Sequence, residues 1–385
     1  MREMYIVNGE IYIDGTFQKG TLGIHGGCIR LCEEKCAIPA GAEVLDAEGK
    51  KIVPGFLDIH THGAAGIDVN GASADDLERM GCFFAGCGTT SWLASVLTDT
   101  EEQTAWCMRQ YRAYRDGGKR RGAQLLGLHL EGPFLSPDYK GAMPKELLRE
   151  GDAELTERYQ ALADGGIRYM TVSPEVTGVL QLIPILRKQN IAVALGHSGA
   201  DYDTAMKAVA AGAMSSTHTG NAMRLLHQHE PAILGAALES DIYCEMICDG
   251  RHLHPGMVRL IVKMKGTGRT VAVTDSIMAT GLPDGNYHLG INEVVVEDGD
   301  ARMASDGTRA GSTLTQNTAL KNLLSFTGLP LEDVLPMLTE NPAKLIGAYD
   351  RKGSIADGKD ADLVLLDADN EVYAVIIGGE LWNMS

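Results

Sequence analysis

Two imidazoles two positions apart close one apolar stretch, Asp58-Ile59-His60-Thr61-His62. On a strand, side chains alternate, so His60 and His62 leave the same face and can meet one ion. The run Leu126-Gly127-Leu128-His129-Leu130-Glu131-Gly132-Pro133 works the same way: its leucines take one face, His129 and Glu131 the other. Gly196-His197-Ser198, Thr217-His218-Thr219 and Val273-Thr274-Asp275-Ser276 each end a further candidate strand on an ionisable residue. Histidine together with carboxylate suits a hard or borderline divalent ion such as zinc or iron. Such an ion with an open position lowers the pKa of water to about 7. Asp275 is the group expected to take that water's proton and later deliver it to a leaving amine. Taken singly, these residues have plainer readings. A histidine at a strand end is commonly a hydrogen-bonded core residue, Glu131 could be a buried, paired carboxylate, and an aspartate there is as often a helix N-cap. Their conjunction at the ends of different strands favours a site.

The elements that must position them follow from periodicity. Strands are expected over 55–62, 90–96, 124–131, 169–173, 192–197, 215–218, 243–248 and 270–275, and helices between most of them, over 74–85, 101–114, 177–188, 202–211 and 255–265. Strands joined by crossover helices in this number predict an α/β fold, a (β/α)8 TIM-like barrel, whose active site lies at the C-terminal ends of its strands. His60, His62, Glu131, His197, His218 and Asp275 would then converge on one rim. The two chain ends read differently. Tyr5-Ile6-Val7, Glu10-Ile11-Tyr12-Ile13 and Leu22-Gly23-Ile24 are short strands, separated by the turn signals Asn8-Gly9, Asp14-Gly15 and Gly26-Gly27. Strand-like runs over 359–367 and 372–377, with Gly378-Gly379 as a turn, repeat the pattern. The expected domains are therefore 1–54 with 345–385, a small β-sandwich made from both ends, and 55–344, the barrel.

Composition narrows the function. Of 385 residues, 44% are hydrophobic, enough for a large core, and the net charge of -17 argues against non-specific nucleic-acid binding, which needs a basic face. An anionic small substrate stays open, because the local charge of a pocket can differ from the total. No apolar run approaches the roughly 18 residues of a membrane helix, and the first residues lack the apolar core of about 7–15 residues of a signal peptide. A soluble cytoplasmic protein is expected. The eight cysteines, with Cys28, Cys32 and Cys36 spaced four apart, fit neither a zinc ribbon nor a thioredoxin motif and are expected to be reduced thiols.

The motifs match a family nearly end to end. Val53-Pro54-Gly55-Phe56-Leu57-Asp58-Ile59-His60-Thr61-His62-Gly63, Gly127-Leu128-His129-Leu130-Glu131-Gly132-Pro133-Phe134, Leu195-Gly196-His197-Ser198, Thr217-His218-Thr219-Gly220-Asn221-Ala222-Met223, Asp249-Gly250-Arg251-His252, Val273-Thr274-Asp275, Ala310-Gly311-Ser312-Thr313-Leu314 and the tail from Gly353 to Val364 carry the likeness. The chain resembles the N-acetylglucosamine-6-phosphate deacetylases of the amidohydrolase superfamily. The His-Leu-Glu-Gly-Pro run is particular to these deacetylases; the tail is common to the superfamily. The resemblance implies removal of acetate from the 2-amino group of an amino-sugar phosphate, and a homodimer. It implies Glu131, His197 and His218 as primary metal ligands, with His60 and His62 holding a second ion in the two-metal members. On that basis one or two ions per subunit are expected, two here, bridged by Glu131. It implies Asp275 as general base and acid, Asn221 and the Ala222 amide as contacts near the 6-position, and His252 on a sugar hydroxyl.

Departures from the family pattern bear on substrate. Where the family has a histidine that polarises the acetyl carbonyl, this chain has Met143, and a thioether cannot donate a hydrogen bond. Where the family has an arginine that crosses the dimer to the phosphate, this chain has His229. Imidazole lacks the guanidinium fork. Arg224, His227 and Arg251 are nearby basic residues that could take over, or plain surface residues. Thr219-Gly220 replaces a bulkier pair and widens the expected pocket. An unphosphorylated amino sugar or an acylated amino acid is the alternative substrate, and a non-catalytic barrel that binds a sugar or a partner is the alternative class.

Overall fold

In the computed structural model, which describes residues 3–32, 38–118 and 121–383, parallel strands form a ring in chain order. They are β1 (Phe56–Asp58), β2 (Thr89–Leu97), β3 (Gln124–Glu131), β4 (Ile167–Val172), β5 (Ala192–Leu195), β6 (Ser215–Ser216), β7 (Tyr243–Ile247) and β8 (Thr270–Val273). The register sets Asp58 beside Trp92, Glu131 between Leu97 and Thr171, and Ile247 beside Val273. β8 and β1 meet just past their ends: Asp275 N–H donates to His60 O (2.8 Å), His62 N–H to Ser276 O (2.7 Å) and Thr274 Oγ1 to Asp58 Oδ2 (2.6 Å). These bonds close the ring and tie both candidate segments together.

A parallel pair needs a crossover, and a helix supplies each one. Ala74–Gly86, Glu101–Asp116, Ala153–Leu162, Val179–Lys188, Tyr202–Ala211, Ala232–Glu239 and Pro255–Lys265 lie between successive strands. Their starts are written locally. Ser73 accepts from Asp76 N–H while Asp76 reaches back to Ser73 N–H, a reciprocal cap. Asp201 caps the helix that ends at Gly212, whose φ of 115° suits only glycine. Val179–Lys188 buries Val179, Leu182, Ile183 and Leu186, the i, i+3, i+4, i+7 stripe of a helix laid on a sheet. β2, Thr-Thr-Ser-Trp-Leu-Ala-Ser-Val-Leu, is buried throughout, as expected of a strand covered on both faces.

The chain ends build a separate sheet, Glu3–Ile13, Thr16–His25, Cys28–Leu31, Glu43–Asp46, Lys51–Pro54, Leu363–Leu366, Val372–Ile377 and Glu380–Leu381. It wraps its own apolar core, Ile6, Leu22, Ile24, Ile52, Leu363 and Leu365 among others, and its margins meet where Ile29 N–H donates to Lys359 O and Ala361 N–H to Gly27 O, both 2.8 Å. The expected turns at Asp14-Gly15, Gly26-Gly27 and Gly378-Gly379 are present, each with two consecutive positive φ angles. The turn expected at Asn8-Gly9 is not there. Glu3–Ile13 is one strand with an irregularity between Ile6 and Gly9, because both halves pair with Thr16–His25 rather than with each other. Its other edge changes partner at that point, from Glu43–Asp46 to Lys51 and Ile52, and a Cβ on Gly9 would sit 2.4 Å from Ile52 Cδ1.

Elements outside the expected ranges are the helices Ala153–Leu162, Ala232–Glu239, Gln316–Thr327, Leu331–Leu338 and Glu340–Leu345, and a three-stranded sheet, Gly285–Leu289, Asn292–Glu297 and Asp300–Met303, inserted after β8. Its apolar face, including Leu289, Val294 and Val296, packs with Leu97, Ile277 and Met143 beside the rim. Among the described residues no helix is long and apolar enough to cross a membrane. Cys28, Cys32, Cys82, Cys87, Cys107, Cys244 and Cys248 are free thiols; Cys36 lies outside the described residues.

Candidate active site

The backbone aims the site. Just beyond the ends of β5, β6 and β8, His197, His218 and Asp275 take φ of 47°, 29° and 50°. Few residues other than glycine adopt this left-handed region, and the strain is held where surrounding bonds over-determine the chain. The turn swings each side chain inward over the mouth of the ring. At Asp275 the close approach of Gly311 completes the turn; a Cβ there would lie 2.8 Å from Asp275 O.

Two groups of ligand-type atoms result: His60, His62 and Asp275, and Glu131, His197 and His218. In the first, His60 Nε2 and His62 Nε2 are 3.2 Å apart, and Asp275 Oδ1 lies 3.5 and 3.3 Å from them. In the second, Glu131 Oε1 lies 3.1 Å from His197 Nε2 and 3.2 Å from His218 Nε2, which are 3.0 Å from each other. Glu131 faces both groups, with Oε2 3.1 Å from His62 Nε2 and Oε1 3.4 Å from His60 Nε2. All six side chains are buried.

The outer nitrogens fix the tautomers. His60 Nδ1 donates to Glu245 Oε2, His62 Nδ1 to Ser95 O and His197 Nδ1 to Tyr139 O, each at 3.0 Å. These oxygens accept, so Nδ1 carries a proton and Nε2 faces the mouth, where it takes a further proton or a cation. Bare lone pairs 3.0–3.2 Å apart cannot bond one another, and His218 Nδ1 is a buried nitrogen with no hydrogen-bond partner. Converging imidazole lone pairs around a shared carboxylate are the donor set of a divalent cation, so the residues fit one.

The electrostatics agree. Burial opposes charge on His60, but the carboxylates of Asp275, Glu131 and Glu245 outweigh it and hold its pKa well above the usual value. His62 is raised to about 9, burial again being outweighed, here by Asp275 and Glu131. Burial pushes the Glu131 and Asp275 carboxyls up; the surrounding histidines outweigh it and hold both below the ordinary carboxylate range. A site that holds two carboxylates close to four imidazole nitrogens is prepared for positive charge.

Above the groups opens a cavity of about 300 Å³. Its wall includes Met143, Asn221, Ala222 and His252 together with His62, Glu131, His197, His218 and Asp275. Asn221 is held by its side-chain amide on His218 O (3.1 Å), and His252 by Asp249, which accepts from Nδ1 at 2.7 Å. Met143 is fully buried and forms an apolar wall. His60 lies beneath the cavity floor, and His129 deeper still, between Ser95 Oγ (2.9 Å) and Thr171 Oγ1 (2.8 Å). His229 is not brought in: it is exposed on residues 224–230, with its ring 5.3 Å from that of His227. A larger depression of about 700 Å³ lies among Tyr114, Gln124 and Trp382 and contains none of these groups.

Sequence reasoning missed Glu245, Arg309 and the Tyr139 carbonyl. Glu245 carried a signal, as the one charge in the apolar strand Tyr243-Cys244-Glu245-Met246-Ile247, where an unpaired carboxylate would be costly. Arg309 lines the cavity and is gripped by Asp300 (Nε–Oδ1 2.9 Å, Nη2–Oδ2 3.1 Å), a residue of the unforeseen insert. A backbone carbonyl has no sequence signature.

Known proteins share this sequence pattern and fold. The amidohydrolase family pattern matches residues 52–382. The N-acetylglucosamine-6-phosphate deacetylase of Bacillus subtilis is 38% identical over 94% of this chain and 93% of its own length. The N-acetylgalactosamine-6-phosphate deacetylase of Escherichia coli O157:H7 is 35% identical over 89% of this chain and 90% of its own. The crystal structure of N-acetylglucosamine-6-phosphate deacetylase from Pasteurella multocida superimposes with a TM-score of 0.93 at 33% identity, covering 98% of this chain and 99% of that one.

Proposed function

Because the chain belongs to the amidohydrolase family, we propose that it hydrolyses the N-acetyl group of an amino-sugar 6-phosphate, N-acetylglucosamine 6-phosphate foremost, to the free amine and acetate. The observation that carries this reading is the meeting of His60, His62, Glu131, His197, His218 and Asp275 at one mouth, under a cavity large enough for a sugar. In this reading Glu131, His197 and His218 would hold one divalent cation, zinc or iron, and His60 and His62 would hold a second, with Glu131 facing both. When bound, such cations supply Lewis acidity, lowering the pKa of water from 15.7 to about 7 and polarising a carbonyl.

The chain's own residues do the rest. Asp275 Oδ1 takes the proton of the attacking water and hands it to the departing amine nitrogen as the C–N bond breaks; its lowered pKa means that it starts ionised. Asn221, Ala222 and His252 orient the sugar. Met143 excludes water from one side of the acyl group without donating a hydrogen bond. Arg309 and Thr308, both on the cavity wall, offer a cation and a hydroxyl to the phosphate. A homodimer and cytoplasmic residence belong to the same reading. The exposed Leu225 and Leu226, beside His229, support the first, and the free thiols support the second.

The test is a deacetylation screen on one metal-analysed sample, using N-acetylglucosamine 6-phosphate, N-acetylgalactosamine 6-phosphate, N-acetylglucosamine and an N-acetyl amino acid. Turnover of a phosphorylated sugar well ahead of its unphosphorylated partner is expected. The galactosamine arm is included because a relative of similar identity bears that name. Equal rates with and without phosphate would end the phosphate assignment. No hydrolysis of any substrate after metal is restored would leave a non-catalytic barrel.

A further inference from the structure

β7 carries a carboxylate that reaches neither the cavity wall nor solvent. Glu245 is fully buried. Burying that group is costly unless its oxygens are satisfied. Its partners are specific. The Tyr169 hydroxyl donates to Oε1 at 2.6 Å, while His60 Nδ1 and the backbone N–H of His218 both donate to Oε2, each at 3.0 Å. Tyr169 and the His218 amide alone would settle a carboxylate that served only packing. The bond to His60 is the one that reaches a group at the mouth.

We infer that Glu245 is a positioning residue: it keeps the proton of His60 on Nδ1, turns the Nε2 lone pair up toward His62 and Asp275, and so makes the first group competent to hold a cation. An acceptor oxygen opposite Nδ1 leaves that nitrogen no role but donor, and the negative partner raises the basicity of Nε2. Without it, His60 is free to carry its proton on Nε2, where it would point into the ion's position. No carboxylate backs a ring nitrogen of the second group: His197 leans on a backbone carbonyl, and Glu245 meets His218 only at its backbone N–H. This inference rests on the metal half of the reading above and is independent of its substrate.

The experiment measures ions per chain and their affinity, by dialysis of the intact enzyme against graded chelator, for the wild type, Glu245→Gln and Glu245→Leu, each also in a His60→Gln background. Losing such an outer partner weakens a metal site about 10–100-fold. The wild type is expected to retain two ions and the Glu245 variants to lose one of them at chelator strengths the wild type withstands, Leu more readily than Gln. The loss should vanish in the His60→Gln background, because the effect runs through that ring. kcat should fall with KM nearly unchanged. Ring 15N shifts of the loaded wild type should place the His60 proton on Nδ1, a readout that no folding defect of a variant can obscure. Equal loading of wild type and variants, an undiminished loss without His60, or a proton on Nε2 would overturn the inference. A wild type that takes up no ion at all would remove the earlier reading and this one with it, whereas normal wild-type loading with unaffected variants removes this one alone.

Discussion

His60 and His62 leave one stretch of backbone two residues apart, while Glu131, His197 and His218 arrive from three different strands. The first pair is backed by a side-chain carboxylate, Glu245, and by the Ser95 carbonyl. The second group is backed by the Tyr139 carbonyl at His197 and by nothing at His218 Nδ1. One group is thus made by local alternation and tuned by charge. The other is gathered from the ends of strands far apart in the chain and held by loop geometry. Similar chemistry can be assembled by either route, but the routes fail differently: the first through its hidden carboxylate, the second through the loop over residues 137–143 that presses on His197.

Glu131 is the residue at which the comparison collapses, since its oxygens face both groups. Glu131→Gln is expected to empty both sites and abolish turnover, a loss beyond the roughly 10–100-fold of an outer partner. Metal analysis and activity on one sample check it, and retention of either ion would show that the groups are independent. Asp275→Asn comes next. It should lower kcat by about 10²–10⁴-fold while leaving KM and the ion at Glu131, His197 and His218 in place; near-normal turnover would strip Asp275 of its role. The smallest effect tests the loop. Gly141 has φ of 56°, and a Cβ there would lie 3.0 Å from His197 Cε1. Gly141→Ala should cost about 1–2 kcal/mol of stability for the left-handed backbone and weaken the ion at His197 while sparing the one at His60. Thermal unfolding and the chelator series read the two parts separately.

The sequence reading follows the same divide. The His60 and His62 pair is legible because a period of two is local. The ring is legible because most of its strands are apolar runs followed by an amphipathic helical stripe, so Tyr202–Ala211 and Pro255–Lys265 begin and end where the pattern puts them; β6, Ser215–Ser216, is polar. His197, His218 and Asp275 are legible only through the rule that barrel sites gather at strand ends. Asn8-Gly9 misleads, because a left-handed Asn followed by a glycine serves a bulge as well as a hairpin, and only the neighbouring strands decide between them. The insert over 285–303 is invisible as a rim element: its alternation marks strands, but nothing local says that Leu289 and Val294 will cover Met143. Arg309 was lost with it, because the residue that grips it, Asp300, belongs to that insert.

The ring's closing bonds, Asp275 N–H to His60 O and His62 N–H to Ser276 O, have a consequence for biosynthesis. A chain leaving the ribosome carries His60 early and Asp275 late, so the first group cannot exist on any nascent fragment that stops short of β8. Glu131, His197 and His218 are all synthesised before β7 begins, so an ion bound by them would be captured sooner, and any loading of the two groups would follow the order in which the staves of the cylinder are delivered.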